Sequence, residues 1–414
     1  MMTRCSLGGP ALVIAAWAVW VVDVTLVAQD WPQFLGPRRD GTYTGASVAG
    51  GWSDGGPTTL WERQVGGGFA GPVVVGDSLI LFHRVEGREV VEAFAVGTGE
   101  TLWRYDYPTT YRDDFGFDEG PRSVPVVVDG RVFTFGAQGQ LHAVDLQTGA
   151  GIWSEDTHAQ YGVRKGFFGA AGSPLVEEGR VIANVGGRDG GIVAFDAGTG
   201  AELWTATTDE ASYSSPVGAT FGGRRHALFF TRSGLVGLDP ESGEVRFEKR
   251  WRSRLGASVN AATPLVSDDL VFISASYGTG AALLRVDGAM LVDEWLGDDS
   301  MSNHYATAVV RDGVLYGYHG RQEYSPSLRA VNLRTGAVHW SEDRFGGGTV
   351  TLAGDRLVIL RESGELMLAE ASPERFVPVA RAQILPGVVR AYPALADGRL
   401  YARNTDTLVA VDLR

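Results

Sequence analysis

The chain has 414 residues, is 44% apolar, contains 57 glycines and carries a net charge of −13. That apolar fraction excludes a disordered or collagen-like chain. The acidic balance, with no Lys/Arg block, excludes nucleic-acid binding, which needs a basic face to displace counterions.

Residues 1–28 read as an export signal. Arg4 supplies a positive start, an apolar stretch runs from Leu7 to Val22, and small residues precede a cut after Ala28. Asp23 interrupts that stretch, and a stable span needs about 20 apolar residues, so no stable membrane span is expected once the leader is cleaved. An uncleaved anchor is the competing reading. The only cysteine, Cys5, lies in the leader. The mature chain then has no disulfide, no cysteine-ligated zinc and no C-x-x-C-H haem attachment. A periplasmic or secreted location follows. Residues 29–57 form an N-terminal extension.

From residue 58 to 414 the chain is built of repeats. "AFAVGTGETLW" (Ala93 to Trp103), "HAVDLQTGAGIW" (His142 to Trp153), "VAFDAGTGAELW" (Val193 to Trp204), "VGLDPESGEVRF" (Val236 to Phe247) and "RAVNLRTGAVHW" (Arg329 to Trp340) are the clear copies. Weaker ones lie at Leu284 to Trp295 and Met367 to Phe376, and "VAVDLR" ends the chain. A second series counts independently. Apolar runs lead into turns at Gly76-Asp77, Asp129-Gly130, Glu178-Gly179, Gly222-Gly223, Asp268-Asp269, Asp312-Gly313, Gly354-Asp355 and Asp397-Gly398. A period of roughly 40–50 residues is that of four-stranded propeller blades. The expected fold is all-β: an eight-bladed β-propeller of four-stranded antiparallel blades. The eighth repeat lacks an outermost strand, and "TTLWERQV" (Thr58 to Val65) has no blade of its own. The N-terminal strand near Trp61 is therefore expected to close the last blade, which removes exposed strand edges.

The repeat residues have structural reasons. The Asp of "VDLQTG" accepts backbone hydrogen bonds across its turn, the Gly adopts positive φ, and the Trp is suited to packing between blades. Small residues and Pro precede the inner strands, where chains crowd near the axis.

The phrase "AVDxxTGxxxW" resembles the repeat of the pyrroloquinoline-quinone (PQQ)-like β-propellers. That superfamily includes the quinoprotein alcohol dehydrogenases and the non-enzymatic propeller lipoprotein of the outer-membrane barrel assembly machinery. "DWPQFLGPRRDG" (Asp30 to Gly41) is similar to the start of many secreted bacterial members. The resemblance covers nearly all of the mature chain and implies the fold; its residues are scaffold. The chain departs from the dehydrogenases. It is shorter, has no adjacent cysteine pair, and shows no counterpart of their calcium cluster with its catalytic Asp.

In a four-stranded blade the two hairpin turns share one face. The long loops occupy the other: Tyr105 to Arg122, Thr157 to Ser173, Arg250 to Thr263, Gly297 to Thr307 and Tyr316 to Ser327. Binding residues concentrate on such loops. Candidates just before the inner strands are Glu119, Arg122, Lys165, Tyr213, Asn260, His304 and Arg390 with Tyr392; the middle loops add Tyr277, His319 and Arg321. Arg122, Lys165, Arg321, Arg390 and His304 would form a cationic cup for an anionic ligand. The competing reading pairs them with Glu119, Asp298 or Asp299. His304 and His319 lack zinc-site spacing. Asp113, Asp114, Asp118 and Glu119 supply oxygen ligands but match no calcium loop.

The leading expectation is an exported, non-catalytic scaffold, monomeric, with no cofactor, binding a protein, peptide or small polar or anionic ligand at the loop-rich face. The alternative is a PQQ-dependent dehydrogenase of alcohols or sugars, with PQQ and calcium in the cup and Asp298 or Asp299 as base. A hydrolase or lyase using His304 or His319 is the third reading.

Overall fold

The computed structural model describes Met1 and residues 29–414 apart from 53, 54 and 257. The expected leader lies outside the described residues. Eight sheets stand around one axis, seven of them with their strands in sequence order from the inside outward and the eighth completed by an N-terminal strand. The inner strands begin at Val73, Val126, Leu175, Val217, Leu265, Val309, Gly348 and Ala394, and we number blades 1–8 accordingly. Each inner strand runs into one of the eight predicted turns. The core lies between blades, where facing Val, Leu, Ile and Phe side chains of neighbouring sheets are buried together. No blade covers its own faces, so burial is complete only when the ring is.

Ring closure is as expected. Strand Thr58–Gln64 pairs antiparallel with the last strand, Thr407–Asp412, and supplies the outer edge of blade 8.

All eight blades carry an irregularity in the pairing of their third and fourth strands. In blades 8, 1, 2 and 3 the extra residue is the one before the Trp: Leu60, Leu102, Ile152 and Leu203, all exposed. A bulge bends its strand and re-aims the next side chain, and here that side chain is the indole. Trp103 Nε1 donates to Leu146 O at 2.8 Å and Trp153 Nε1 to Ala197 O at 3.1 Å, each in the following blade. The ring then covers the turn glycine of that blade. Gly149 has φ +72, and a Cβ there would lie 2.6 Å from the Trp103 ring. The same turn is held by Asp145, whose Oδ1 accepts from Gln147 N and Thr148 N at 3.1 and 2.8 Å. The repeat phrase is thus one device: Asp shapes a turn, Gly opens its surface, and the previous blade's Trp seals it.

Residues 31–43 run through the axial channel. Trp31 exchanges two backbone hydrogen bonds with Val74 in blade 1, and Pro32 O accepts from Val127 N in blade 2. Thr42 and Tyr43 pair in parallel with Leu352 and Ala353 in blade 7. The Tyr43 hydroxyl accepts from Gly398 N in blade 8 at 2.7 Å. Between them the buried Arg39 donates to Pro216 O at 2.9 Å and to Pro174 O, before the inner strands of blades 4 and 3. This segment is a plug that ties six blades together. Among the described residues no helix is long and apolar enough to cross a membrane.

Candidate functional site

A cavity of about 430 Å³ opens on the axis at the loop-rich face. Phe34, carried by the plug, closes it from below and meets Tyr392 edge-on with ring centroids 4.9 Å apart. Its walls are largely aromatic: Phe69, Phe117, Phe168, Tyr213, Tyr277, Tyr305 and Tyr392.

The wall follows a simple register. Counting three residues back from the Pro at the start of an inner strand gives Phe69, Arg122, Ala171, Tyr213, Ala261 and Arg390, and the same offset in blade 6 gives Tyr305. All seven line the cavity. The residues two places on (Val124, Ser173, Ser215, Tyr392) also line it, whereas those between (Ala70, Ser123, Ser214, Ala262, Ala391) are buried away from it. Extended backbone alternates its side chains, so one face of each approach looks at the axis.

Of the sequence candidates, Arg122, Tyr213, His304 and Arg390 come together in this cavity, with Tyr277 and Tyr392. The other five do not line it. Asn260 falls out of phase with the register and is buried, its amide donating to Thr231 O and Trp251 O at 2.8 and 2.9 Å. Lys165 reaches outward to Asp114. Glu119 pairs with Arg112 and, at 3.5 Å, with Arg84. His319 Nδ1 accepts from Ser302 N at 3.1 Å. Arg321 lies over the Tyr277 ring at 4.5 Å and pairs with Glu323 at 2.9 Å. The expected five-membered cationic cup is therefore reduced to two guanidiniums and a histidine. Asp298 and Asp299 sit by Ser302 and Arg329 and are absent from the cavity wall.

Residues missed in the sequence complete the wall. Glu362, in the middle loop of blade 7, accepts from Tyr305 Oη and Gln322 Nε2 and lies 3.3 Å from Arg390 Nε. All three contacts fall on Oε1. Burial and the adjoining Glu362 charge hold the Tyr305 phenol neutral, its pKa well above the usual value. Arg390 lies over Phe69 and Phe117, at 5.6 and 4.9 Å. Arg122 lies over Phe168 and Phe69, at 5.3 and 5.5 Å. These stacks hold the guanidinium planes in place.

His304 is neutral at ordinary pH. Burial pushes it down to about 4, against the pull of Glu323 and with Arg321 and Arg390 adding to the fall. Its Nδ1 accepts from Gln322 N at 3.4 Å, so Nε2 carries the proton toward Tyr277 Oη at 2.7 Å. The Tyr277 hydroxyl hydrogen is left for the cavity. Tyr277 itself has φ +67, a left-handed conformation uncommon outside Gly and Asn.

The sequence family described as outer membrane protein assembly factor BamB matches residues 87–342. The chain belongs to the BamB family. This BamB-family chain is 26% identical over 256 residues to the BamB of Xanthomonas campestris pv. campestris, covering 60% of this chain and 61% of that one. It is also 30% identical over 163 residues to the quinohemoprotein alcohol dehydrogenase of Comamonas testosteroni, covering 36% of this chain and 21% of the enzyme. It thus spans less than two thirds of the length of either relative. Among solved structures, BamB from Moraxella catarrhalis superposes with a TM-score of 0.63 at 17% identity, over 86% of this chain and 98% of that one. The Comamonas enzyme superposes with a TM-score of 0.65 at 15% identity, over 92% and 80%. At those identities the superpositions establish the fold alone.

The site's donor set does not fit a calcium-bound quinone. Calcium takes six to eight oxygens, several of them carboxylates. Among the described residues no three His, Cys, Asp or Glu side chains are grouped to hold a metal. Glu362 and Glu323 are the carboxylates on the wall, and Arg390 and Arg321 engage them. The acidic loop at Asp113 to Glu119 bonds to itself, Asp113 Oδ2 accepting from Phe117 N at 2.6 Å and Asp118 N at 3.2 Å.

Proposed function

We propose that this BamB-family chain is an exported, non-catalytic binding scaffold that works as a monomer and engages its partner at the loop-rich face. The observation that carries this reading is the aromatic axial cavity together with its rim. Phe115, Phe117, Leu255, Tyr324 and Val388 are exposed on loops of that face, Tyr324 at 73%. Apolar rims around a pocket with polar anchors mark interaction sites. The BamB relatives are described as outer membrane protein assembly factors, and a periplasmic location for this chain is part of the same proposal.

The test is site-specific photo-cross-linking in bacterial envelopes. Probes at Phe117 and Tyr324 on the loop-rich face are compared with probes at Asp77 and Glu241 on the turn face. Discrete adducts from the first pair alone are expected. Adducts only from the second pair, or from neither, sink the reading.

The quinone dehydrogenase is the second reading, favoured by the 30% identity to the Comamonas enzyme. The engaged carboxylates and the distance of Asp298 and Asp299 from the cavity wall speak against it.

A further inference from the structure

We propose that the axial pocket takes a zwitterion: a free α-amino acid with an aromatic or large apolar side chain. The proposal rests on the reading of this pocket as the binding site and names its ligand class.

The charges around the cavity cancel. Arg122 lies 3.5 Å from Asp113, Arg390 3.3 Å from Glu362, and Arg321 2.9 Å from Glu323. A ligand with net charge would leave its hydration without a counter-charge waiting, which is costly in a partly desolvated site. Groups of both signs are nevertheless left open. Every contact to Glu362 falls on Oε1, so Oε2 has no hydrogen-bond partner among the described residues. The Arg390 Nη1 and Nη2 donors have none either, and both residues line the cavity. The pair meets at Nε and Oε1, 3.3 Å apart and without a hydrogen bond, so an acceptor and a donor fork open to a ligand lie next to each other. An α-amino acid presents the matching pair, with its nitrogen and carboxyl carbon about 2.5 Å apart.

The remaining wall sets the side chain. Phe34, Phe168, Tyr213 and Tyr392 offer apolar surface in a cavity of about 430 Å³, near the lower end of small-molecule sites. An aromatic cage for a simple cation is a poorer match. The Phe69, Phe117 and Phe168 rings already carry the two guanidiniums, and an incoming cation would meet those charges.

The experiment is calorimetric titration of the intact protein with L-phenylalanine, N-acetyl-L-phenylalanine and L-phenylalaninamide. The blocked compounds keep the ring and one charge each, and they mimic the two ends of a peptide. L-phenylalanine should bind at least about tenfold more tightly than either, since one lost charge-assisted contact is worth about 1.4 kcal/mol or more. Arg390→Gln should erase the preference over the amide, and Glu362→Gln the preference over the N-acetyl compound. Opposite changes in two folded variants exclude general damage, with circular dichroism as the check. Equal binding of either blocked compound overturns the zwitterion in favour of a singly charged ligand. No binding of any of the three also overturns it. The cross-linking experiment decides separately whether the pocket face is the binding face.

Discussion

The indole Nε1 of Trp61 donates to the carbonyl of Val96 at 2.9 Å. Trp61 belongs to blade 8 and Val96 to blade 1, so this bond spans the junction where the chain's two ends meet. The Trp61 ring also covers Gly99, where a Cβ would lie 2.7 Å from it. Trp61→Ala should cost about 3–5 kcal/mol, whereas Trp61→Phe should lose mainly the hydrogen bond, about 0.5–1.5 kcal/mol. Gly99→Ala should destabilise through collision and its positive φ. Combining it with Trp61→Ala should cost less than the sum, because the collision partner is gone. Equilibrium denaturation of the four variants checks this, and strict additivity would refute the contact.

The plug depends on Arg39. Its guanidinium satisfies the carbonyls of Pro174 and Pro216 inside the channel and also bonds Gln33 Oε1. Arg39→Met keeps apolar bulk but strands both carbonyls, at about 1–3 kcal/mol each. Arg39→Lys should recover little, since one ammonium lacks the planar fork that reaches two blades. Denaturant midpoints that match wild type in both variants would show the plug to be dispensable.

Acid should destabilise the ring before its surface carboxylates are titrated. Burial holds His142, His158 and His304 each at about 4 in the folded chain, against about 6.5 unfolded. The unfolded state therefore binds more protons between those values, so stability rises with pH across that window. It is complete above about 6.5 and is lost as pH falls toward 4. Glu89 opposes the trend above the ordinary carboxyl range, because burial raises its folded pKa. Unfolding free energies from pH 4 to pH 7 should increase, and His304→Gln should flatten the slope. A flat profile in wild type would contradict the assignment of these histidines as neutral.

Adding PQQ and calcium to the purified protein should give neither an absorbance change nor dye reduction with alcohols. Saturable quinone binding lost in Arg122→Gln and Arg390→Gln would instead restore the dehydrogenase reading.

The repeat phrases and the eight turn signals were readable because each blade solves the same packing problem with the same few residues. Arg122, Tyr213 and Arg390 were found because they precede recognisable inner strands. Phe69 and Tyr305 occupy the same offset, and only the alternation of side chains before each inner strand signals them, since proximity to a strand does not single them out. Asn260 lies next to an inner strand in the sequence, but the same alternation turns it inward. The bulge before each Trp gave no sign, since it changes pairing and not composition.

The sequence by itself determined the ring: the number of blades, the turn chemistry, and the closing strand around Trp61, all consequences of local periodicity and of apolar faces needing cover. The tertiary structure alone decided what occupies the axis. Phe34 comes from the N-terminal segment, Tyr305 and Gln322 from blade 6, Glu362 from blade 7 and Arg390 from blade 8. Residues so far apart in the chain acquire a joint chemistry only where the blades meet at the axis, and no local pattern encodes which side chains converge there.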